Sequence, residues 1–229
     1  MNDRPMIIFC DFDGTVTVQD VVDLMLETFA GAEWKTVEEA WKRHQISARE
    51  CLDRQLRLVR VTQAQLEELL RTVRIDPYFR ALAQWAQFNG IPLILFSDGF
   101  DWIISRVLAF HQIDADALGI RSFSSHLEFR NGTLSWNFPF AENCAHGCGT
   151  CKPELIRKLS VAGATRILIG DGQSDCAAAE WVDRVFAKGW LQRYCRQRNL
   201  PCQPIRHLRD VVDYLGFVGE ESDGEVASL

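Results

Sequence analysis

The stretch Met6-Ile7-Ile8-Phe9-Cys10-Asp11-Phe12-Asp13-Gly14-Thr15 places two carboxylates directly after a continuous apolar run. Such a run, followed at once by a turn signal, predicts a buried parallel strand. In open α/β sheets, ligands bind at the carboxyl ends of the strands, which is where Asp11 and Asp13 lie. Two carboxylates about 4 Å apart repel by about 4 kcal/mol at an effective dielectric constant of ~20. We therefore expect a cation at this strand end.

Two further apolar runs in the chain are also followed by polar residues. Residues 91–96 lead into Ser97, and residues 166–169 lead into Asp171 and Asp175. The carboxyl ends of parallel strands lie at one edge of their sheet. The sequence therefore predicts that these side chains meet the two aspartates of the first strand.

Alternation of strands and helices continues toward the C-terminus, with strands expected at 185–187 and near 202–205. This order predicts an α/β fold with a doubly wound parallel sheet. Residues 126–130 and 133–137 alternate around Asn131-Gly132, which predicts a hairpin.

About 55 residues of helical periodicity separate the first strand from the next strand and helix, more than a direct crossover needs. We interpret residues 18–76 as a small helical cap, which we call the insert. The catalytic core is then 1–17 and 77–218, and the acidic segment 219–229 is expected to be a disordered tail. The alternative is that the extra helices simply pack on the sheet.

The composition limits the class of partner. The chain has 229 residues, a net charge of −6 and no long basic run, so a nucleic-acid partner is not expected. It shows no secretory signal pattern and no stretch of ~20 apolar residues, which predicts a cytoplasmic protein without a membrane partner. Nothing in the sequence indicates the oligomeric state.

The charges at the strand ends indicate a metal. Asp11, Asp13, Asp171 and Asp175 sum to −4, and Lys152 reduces this to −3, a balance that would repel an anionic substrate. Mg²⁺ suits such oxygen ligands together with phosphate, whereas Ca²⁺ fits less well without a regularly spaced 12-residue loop. A metal between carboxylates and a phosphate, with a lysine opposite, is the usual equipment for phosphoryl transfer.

The residue types also suggest the nucleophile. An aspartate is ionised near neutral pH and needs no activating base, and no histidine is placed to activate Ser97. Asp11 would attack phosphorus, and Asp13 would protonate the leaving oxygen and later activate water. Ser97 and nearby backbone amides would hold the phosphate, while Lys152 would neutralise charge in the transition state.

These motifs together resemble those of the haloacid dehalogenase-like phosphatases over residues 6–215. The four ordered motifs are Asp11-Phe12-Asp13-Gly14-Thr15, Ser97-Asp98-Gly99, Lys152 and Gly170-Asp171-Gly172-Gln173-Ser174-Asp175. The resemblance implies that the first two aspartates are nucleophile and acid/base. It also implies that both hold Mg²⁺, Asp13 through its backbone carbonyl, with Asp171 as the third ligand and Asp175 as nearby support. Ser97, Asp98 and Gly99 are the expected phosphate-binding segment.

The insert resembles the cap of the phosphoserine-phosphatase-like branch, which implies that Asp20 reaches the substrate. Its alternative role is the N-cap of a helix that starts at Val21. In phosphoserine phosphatases a cap arginine binds the substrate carboxylate. The register here puts Gln55 near that position, and Arg54 or Arg57 could serve instead.

Two further segments, Cys148–Pro153 and Phe186–Leu191, resemble the methionine-salvage phosphatases that act on 2-hydroxy-3-keto-5-methylthiopentenyl-1-phosphate. This implies a small phosphomonoester substrate of that kind. Phosphoserine or a phosphorylated amino alcohol is the alternative, although phosphoserine phosphatases have a glycine at the position of Asp98.

Proteins of another class use similar residues. A phosphoacceptor signalling module also combines an aspartate nucleophile, Mg²⁺ and a lysine on a parallel sheet, but it lacks a cap and holds its phosphoryl group. Asp13, as a general acid two residues after the nucleophile, favours the enzyme. A catalytically silent binding fold is a third alternative, which the complete set of motif residues disfavours.

The segment that leads to Lys152 is rich in cysteine. Cys144, Cys148 and Cys151, with His146 among them, have a spacing that could hold structural zinc. The alternative is a tight glycine-rich loop whose thiols pack or face solvent.

Overall fold

The computed structural model describes residues 5–142, 144–145 and 147–223. One sheet of seven strands runs through this part of the chain, in the order β4-β3-β2-β1-β5-β6-β7. The strands are β1 (Met6–Cys10), β2 (Leu93–Phe100), β3 (Arg121–Arg130), β4 (Thr133–Asn137), β5 (Thr165–Gly170), β6 (Arg184–Ala187) and β7 (Cys202–Pro204). All neighbouring strands are parallel except β3 and β4.

Helices pack on both faces of this sheet. They are α1 (Val21–Phe29), α2 (Trp34–Lys42), α3 (Ala48–Leu56), α4 (Gln63–Arg71), α5 (Phe79–Phe88), α6 (Asp101–Phe110), α7 (Lys152–Leu159), α8 (Cys176–Ala179), α9 (Gly189–Arg198) and α10 (Leu208–Asp223). The predicted doubly wound α/β fold is confirmed. Within the described residues, none of the helices has the length and apolarity needed to cross a bilayer.

The central strand β1 shows why an unbroken apolar run was needed. Successive side chains of a strand point to opposite faces. Ile8 and Cys10 accordingly pack in the apolar cluster that includes α5 and α6, while Ile7 and Phe9 pack in the cluster of α7 and α9. Cys10 lies opposite Leu95 of β2 and Ile169 of β5, so the carboxyl ends of the three strands lie side by side.

Strand β2 extends further than the sequence predicts. It was expected to end at Phe96, but it continues to Phe100, and its register with β3 shifts between Ser97 and Phe100. Such an irregularity re-aims side chains and is common beside active sites. Ser97, Asp98 and Gly99 therefore belong to the irregular end of a strand rather than to a turn that follows it.

The predicted hairpin is present, with Asn131 and Gly132 both at positive φ between β3 and β4. Its first strand starts earlier than the alternation predicts, at Arg121. Residues 121–125 pair with β2 in parallel, and only the later part of β3 pairs with β4. The polar pattern of the early segment gave no clear strand signal.

The insert consists of α1 to α4. An isolated bridge joins Thr17 to Ile75, and the amide of Asp76 donates to the carbonyl of Val16 at 2.8 Å. The two ends of the insert thus meet where it leaves the sheet. This geometry supports the division at 18–76, which stays a prediction.

Polar side chains start several of the insert helices. Asp20, Ser47 and Thr62 accept hydrogen bonds from the third residue after each of them, at the starts of α1, α3 and α4. Each bond satisfies one of the free amides that the first turn of a helix leaves.

Helix α10 continues to Asp223 and so extends into the segment 219–229 that was expected to be a disordered tail. No proline follows Pro204, so no residue forbids the helix to continue past 218. Residues 224–229 lie outside the described part of the chain.

Candidate active site

The ends of β1, β2 and β5 open into a cavity of about 350 Å³ that the insert covers. We call this cavity the chamber. It is lined on the sheet side by Asp11, Asp13, Gly14, Ser97, Asp98, Gly99, Asp171, Gly172, Gln173 and Ser174, and on the side of the insert by Val18, Gln19, Asp20, Val22, Asp23, Glu38, Trp41, Ala48, Cys51, Leu52 and Gln55. The structure therefore brings the polar residues of three separate strand ends into one space.

Three carboxylates converge at the base of the chamber. Asp11, Asp171 and Asp175 each offer an oxygen, and these atoms lie within 4.8 Å of one another. Burial and the charge of Asp175 raise the pKa of Asp11 well above its ordinary value, although Lys152 opposes this. Burial also raises the pKa of Asp171 to about 6. The carboxylates of this cluster repel one another, and their oxygen atoms form a donor set that fits a hard cation such as Mg²⁺.

Both oxygens of Asp175 already have partners. Its Oδ1 accepts from Lys152 Nζ at 2.6 Å, and its Oδ2 accepts from the amides of Asp171 and Gly172 at 3.1 Å. The carboxylate is fully buried. Asp175 therefore fixes the loop that carries Asp171 and pairs with the lysine.

Lys152 opens α7, where Pro153 in the first turn suits a helix start. Its side chain is 1% exposed, and Nζ lies 2.9 Å from Asp11 Oδ1 and over the ring of Phe96. Burial by itself lowers the pKa of this amine, but Asp11 and Asp175 outweigh it and raise the pKa well above its ordinary value. The lysine is therefore a permanent cation beside Asp11.

The carboxylate of Asp13 has partners outside the cluster of the other aspartates. Its Oδ1 accepts from the amide of Val21 at 3.0 Å, and its Oδ2 accepts from Ser97 Oγ at 2.9 Å. Burial raises the pKa of Asp13, while these two hydrogen bonds lower it. The side chain is thus held at the entrance to the insert, in reach of both its own strand end and that of β2.

Two glycines permit this close packing. A Cβ on Gly99 would lie 2.5 Å from Asp13 Oδ2, and one on Gly14 would lie 2.5 Å from Asp171 Oδ2. Gly14 also has a φ of +72°, which side chains disfavour. Larger residues at either position would displace a carboxylate of the site.

Two of the predicted substrate-contacting residues also have structural partners. Asp98 Oδ1 accepts from the amide of Thr150 at 2.6 Å, so this carboxylate holds the loop that leads to Lys152. Asp20 caps α1 by accepting from the amide of Asp23 at 2.9 Å. Both side chains nevertheless line the chamber, so both of the roles considered for Asp20 remain compatible with the structure.

Sequence reasoning did not single out two residues that organise the metal-binding end. Thr15 Oγ1 donates to Asp171 Oδ1 at 2.7 Å, and Lys188 Nζ donates to the carbonyl of Thr15 at 3.5 Å. Thr15 stands in the first motif and Lys188 in the segment Phe186–Leu191. Both were therefore within quoted stretches, but nothing local indicated their partners.

Neither of the arginines considered for the substrate lines the chamber. Arg54 pairs with Glu50 at 2.6 Å, and Arg57 pairs with Asp53 at 2.9 Å. The two partners of each pair are one helical turn apart, in α3 or at its C-cap, and ion pairs form readily at this spacing. Gln55, between them, is 3% exposed and does line the chamber.

The structure gives the zinc expectation no support. Cys144, Cys148 and Cys151 form no disulfide, and burial raises the pKa of Cys151 to about 11. Among the described residues, the aspartate cluster is the one group of three side chains with ligand atoms within 4.8 Å of one another. Gly147 of this segment instead contacts the insert, because its carbonyl accepts from the amide of Arg49 at 2.8 Å.

Comparison with known proteins agrees with this site. The haloacid dehalogenase-like hydrolase family matches residues 8–180. A 2-hydroxy-3-keto-5-methylthiopentenyl-1-phosphate phosphatase of Geobacillus thermodenitrificans is 31% identical over 216 residues, which cover 93% of this chain and 96% of that protein. One of Bacillus velezensis is 31% identical over 224 residues, 94% of this chain and 93% of that protein. The bifunctional enzyme MtnB/MtnX of Bacillus licheniformis is 29% identical over 91% of this chain and 48% of its own length.

Solved structures show the same fold. A substrate-bound phosphoserine phosphatase has a TM-score of 0.68 and 16% identity, covering 93% of this chain and 99% of that one. A hydrolase of this family from Salmonella enterica serovar Typhi has a TM-score of 0.68 and 19% identity, covering 89% and 69%. With the family match over most of the chain and phosphatases as its relatives, this chain belongs to the haloacid dehalogenase-like hydrolase family and is a phosphatase.

Proposed function

We propose that this phosphatase is a Mg²⁺-dependent phosphomonoesterase that works through an aspartyl-phosphate on Asp11. The observation that carries the proposal is the convergence of Asp11, Asp171 and Asp175 within 4.8 Å, with Lys152 Nζ 2.9 Å from Asp11. An anionic phosphate can approach this many carboxylates only if cations offset them. One lysine is too little, so a divalent ion completes the site.

Asp11, Asp171 and the backbone carbonyl of Asp13 would hold the metal. Asp175 would support it from behind, since its oxygens are bound to Lys152 and to backbone amides. When bound, Mg²⁺ supplies charge neutralisation for the phosphate oxygens.

The residues of the chain have distinct roles in the proposed reaction. The Asp11 carboxylate attacks phosphorus and the ester P–O bond breaks, while Asp13 gives its proton to the departing alkoxide. Lys152 neutralises charge that grows on the phosphoryl oxygens. Ser97 and the amide of Gly99, which donates to Ser97 Oγ at 2.8 Å, shape the phosphate end of the chamber.

The second half of the reaction uses the same carboxyl groups. Asp13, now ionised, takes a proton from water as the water oxygen attacks phosphorus. The Asp11–phosphate bond breaks, which releases inorganic phosphate and restores the Asp11 carboxylate. The burial that raises the pKa of Asp13 suits a group that alternates between acid and base.

The proposed substrate is 2-hydroxy-3-keto-5-methylthiopentenyl-1-phosphate. Its hydrolysis is a step of methionine salvage. Support comes from relatives with this activity in their names, at 31% identity over more than nine-tenths of this chain. A chamber of about 350 Å³ is of the size that suits a small organic phosphate. The proposed location is the cytoplasm, where cysteine thiols stay reduced.

The test is an assay of the purified protein with a panel of phosphorylated metabolites, with Mg²⁺ and with chelator. We expect steady release of phosphate with Mg²⁺ and loss of this activity in chelator. When the reaction is quenched early with acid, we expect to recover labelled, phosphorylated protein. The enol phosphate should be the best substrate. A preference for phosphoserine would refute the substrate assignment, and one phosphate retained per chain without turnover would favour a signalling module over an enzyme.

A further inference from the structure

The wall of the chamber that faces the strand ends is negatively charged. Asp20, Asp23 and Glu38 line it from the insert, and none of the described lining residues is a lysine, an arginine or a histidine. Lys42 pairs with Glu38 Oε1 at 3.0 Å, but its side chain is half exposed and does not line the chamber. A substrate that enters therefore has no cation to bind at this end.

A hydrogen-bonded pair lies in this wall. Gln55 Nε2 donates to Glu38 Oε2 at 3.0 Å, which fixes the orientation of the amide. Gln55 is 3% exposed, and within the described part of the chain no group donates a hydrogen bond to its Oε1. The wall thus offers acceptor oxygens to a ligand.

Apolar side chains surround the pair. Trp41 from α2 and Leu52 from α3 line the same wall, with Val22 from α1. A pocket that combines apolar walls with a few placed polar groups selects ligands by their polar pattern. Here the pattern consists of acceptors and anions, so it favours hydroxyl groups and opposes carboxylates.

We propose that this wall selects phosphomonoesters whose non-phosphate part has no carboxylate and carries a hydroxyl group. Glu38 is the specificity-determining residue that rejects a substrate carboxylate, and Gln55 Oε1 is the acceptor for a substrate hydroxyl. The inference rests on the proposed phosphatase function, because the strand ends fix where the phosphate lies and hence which end faces Glu38. A carboxylate ionised near neutral pH would face like charge without a partner.

Two simple esters test this selection. Glycerol 3-phosphate and 3-phosphoglycerate are both phosphates of a primary alcohol. The first has a hydroxymethyl group at the position where the second has a carboxylate. With Mg²⁺ present, we expect kcat/KM for glycerol 3-phosphate to exceed that for 3-phosphoglycerate by about tenfold or more, since repulsion acts in a confined space.

A pair of neighbouring substitutions on α2 supplies the matched control. Glu38→Gln should reduce the preference by about threefold or more, since it removes one charge from the wall. Glu39→Gln makes the same change in net charge, but Glu39 is 56% exposed, pairs with Arg43 and does not line the chamber. It should leave the preference unchanged.

Equal kcat/KM values for the two esters in the unmodified protein would overturn the inference, as would equal preferences in the two variants. The comparison in the unmodified protein needs no variant, so it decides the matter even if Glu38→Gln does not fold. Absence of turnover with both esters and with p-nitrophenyl phosphate would instead refute the phosphatase mechanism itself.

Discussion

At the scale of single residues, the carboxyl groups of this site differ by what holds them. Asp13 is bound by Val21 and Ser97, Asp175 by Lys152 and two amides, and Asp171 by Thr15. Identical side chains thus have different environments within a few ångströms. The proposed mechanism needs such a difference, because it requires one carboxyl group to carry a proton while its neighbours stay ionised.

The proposed acid/base role of Asp13 gives a sharp prediction. Asp13→Asn keeps the shape but cannot transfer a proton, so hydrolysis of alkyl phosphates should fall by about 10²- to 10⁴-fold. An ester with a good leaving group should still phosphorylate Asp11, because that leaving group needs no proton. Rapid-quench labelling should then find phosphorylated protein accumulating. Unchanged turnover of alkyl phosphates would rule this role out.

Asp23 gives a prediction about stability and pH. Burial, aided by the charge of Glu38, raises the pKa of Asp23 from 3.8 to about 6 in the folded protein. The folded state therefore binds the Asp23 proton more tightly than the unfolded state. As pH rises from the unfolded to the folded pKa, ionisation of Asp23 increasingly destabilises the fold, and the full penalty is reached above about pH 6.

Asp23→Asn removes that penalty at nearly constant shape. We expect its free energy of unfolding to exceed that of the unmodified protein at about pH 8, with little difference at about pH 3, where Asp23 is largely neutral in both states. Urea titrations at the two pH values measure this. A gain of the same size at both would show that the charge of Asp23 is not the cause.

At the scale of elements, the irregular end of β2 decides the shape of the phosphate end. The register shift between Ser97 and Phe100 brings Ser97 to Asp13 and sends Asp98 to the amide of Thr150. One strand end thereby orients the proposed acid/base and also anchors the loop that carries Lys152.

Gly99→Ala tests the close approach at this strand end. The added Cβ would lie 2.5 Å from Asp13 Oδ2 and 3.0 Å from Ser97 Oγ, so Asp13 must move. We expect kcat/KM to fall by roughly tenfold to hundredfold, because small displacements of a catalytic group are costly. Gly216→Ala in α10, where a Cβ meets nothing within 4 Å, is the control and should keep full activity. Equal activity of both variants would contradict the proposed constraint.

At the scale of the whole molecule, the insert is held over the sheet from several directions. Arg49 of α3 donates from Nη1 to the carbonyl of Ala141 at 3.0 Å and from its amide to the carbonyl of Gly147. Trp136 of β4 donates to Asp53 Oδ1 at 3.1 Å from the hairpin. Hydrogen bonds to the segment before Lys152 and to the hairpin therefore both stabilise the position of the insert.

Arg49→Met should remove one of these hydrogen bonds. Loss of one side-chain hydrogen bond costs about 1 kcal/mol. We expect faster hydrogen exchange at the amides of α2 and α3, with that of β1 and β5 unchanged. Arg54→Met removes only a half-exposed ion pair within α3 and should change exchange much less. Equal effects of the two substitutions would show that the contact to Ala141 does not hold the insert.

The sequence alone was sufficient for features that depend on near neighbours in the chain. The apolar run before Asp11 determined a central strand, and Asn131-Gly132 determined the hairpin turn. Both follow from local chemistry: an unbroken apolar run needs two covered faces, and positive φ needs small or amide side chains. The motif residues could be placed at one sheet edge for the same reason, since the end of a strand is a local property.

Contacts between distant residues were decided only by the tertiary structure. The bond of Asp98 to Thr150 and that of Gln55 to Glu38 depend on how loops and the insert dock on the sheet. The same is true of the early part of β3, which pairs with β2 although its sequence is polar. These contacts form because folding buries polar groups that must then find partners, and which partner is near depends on the packing of the whole chain.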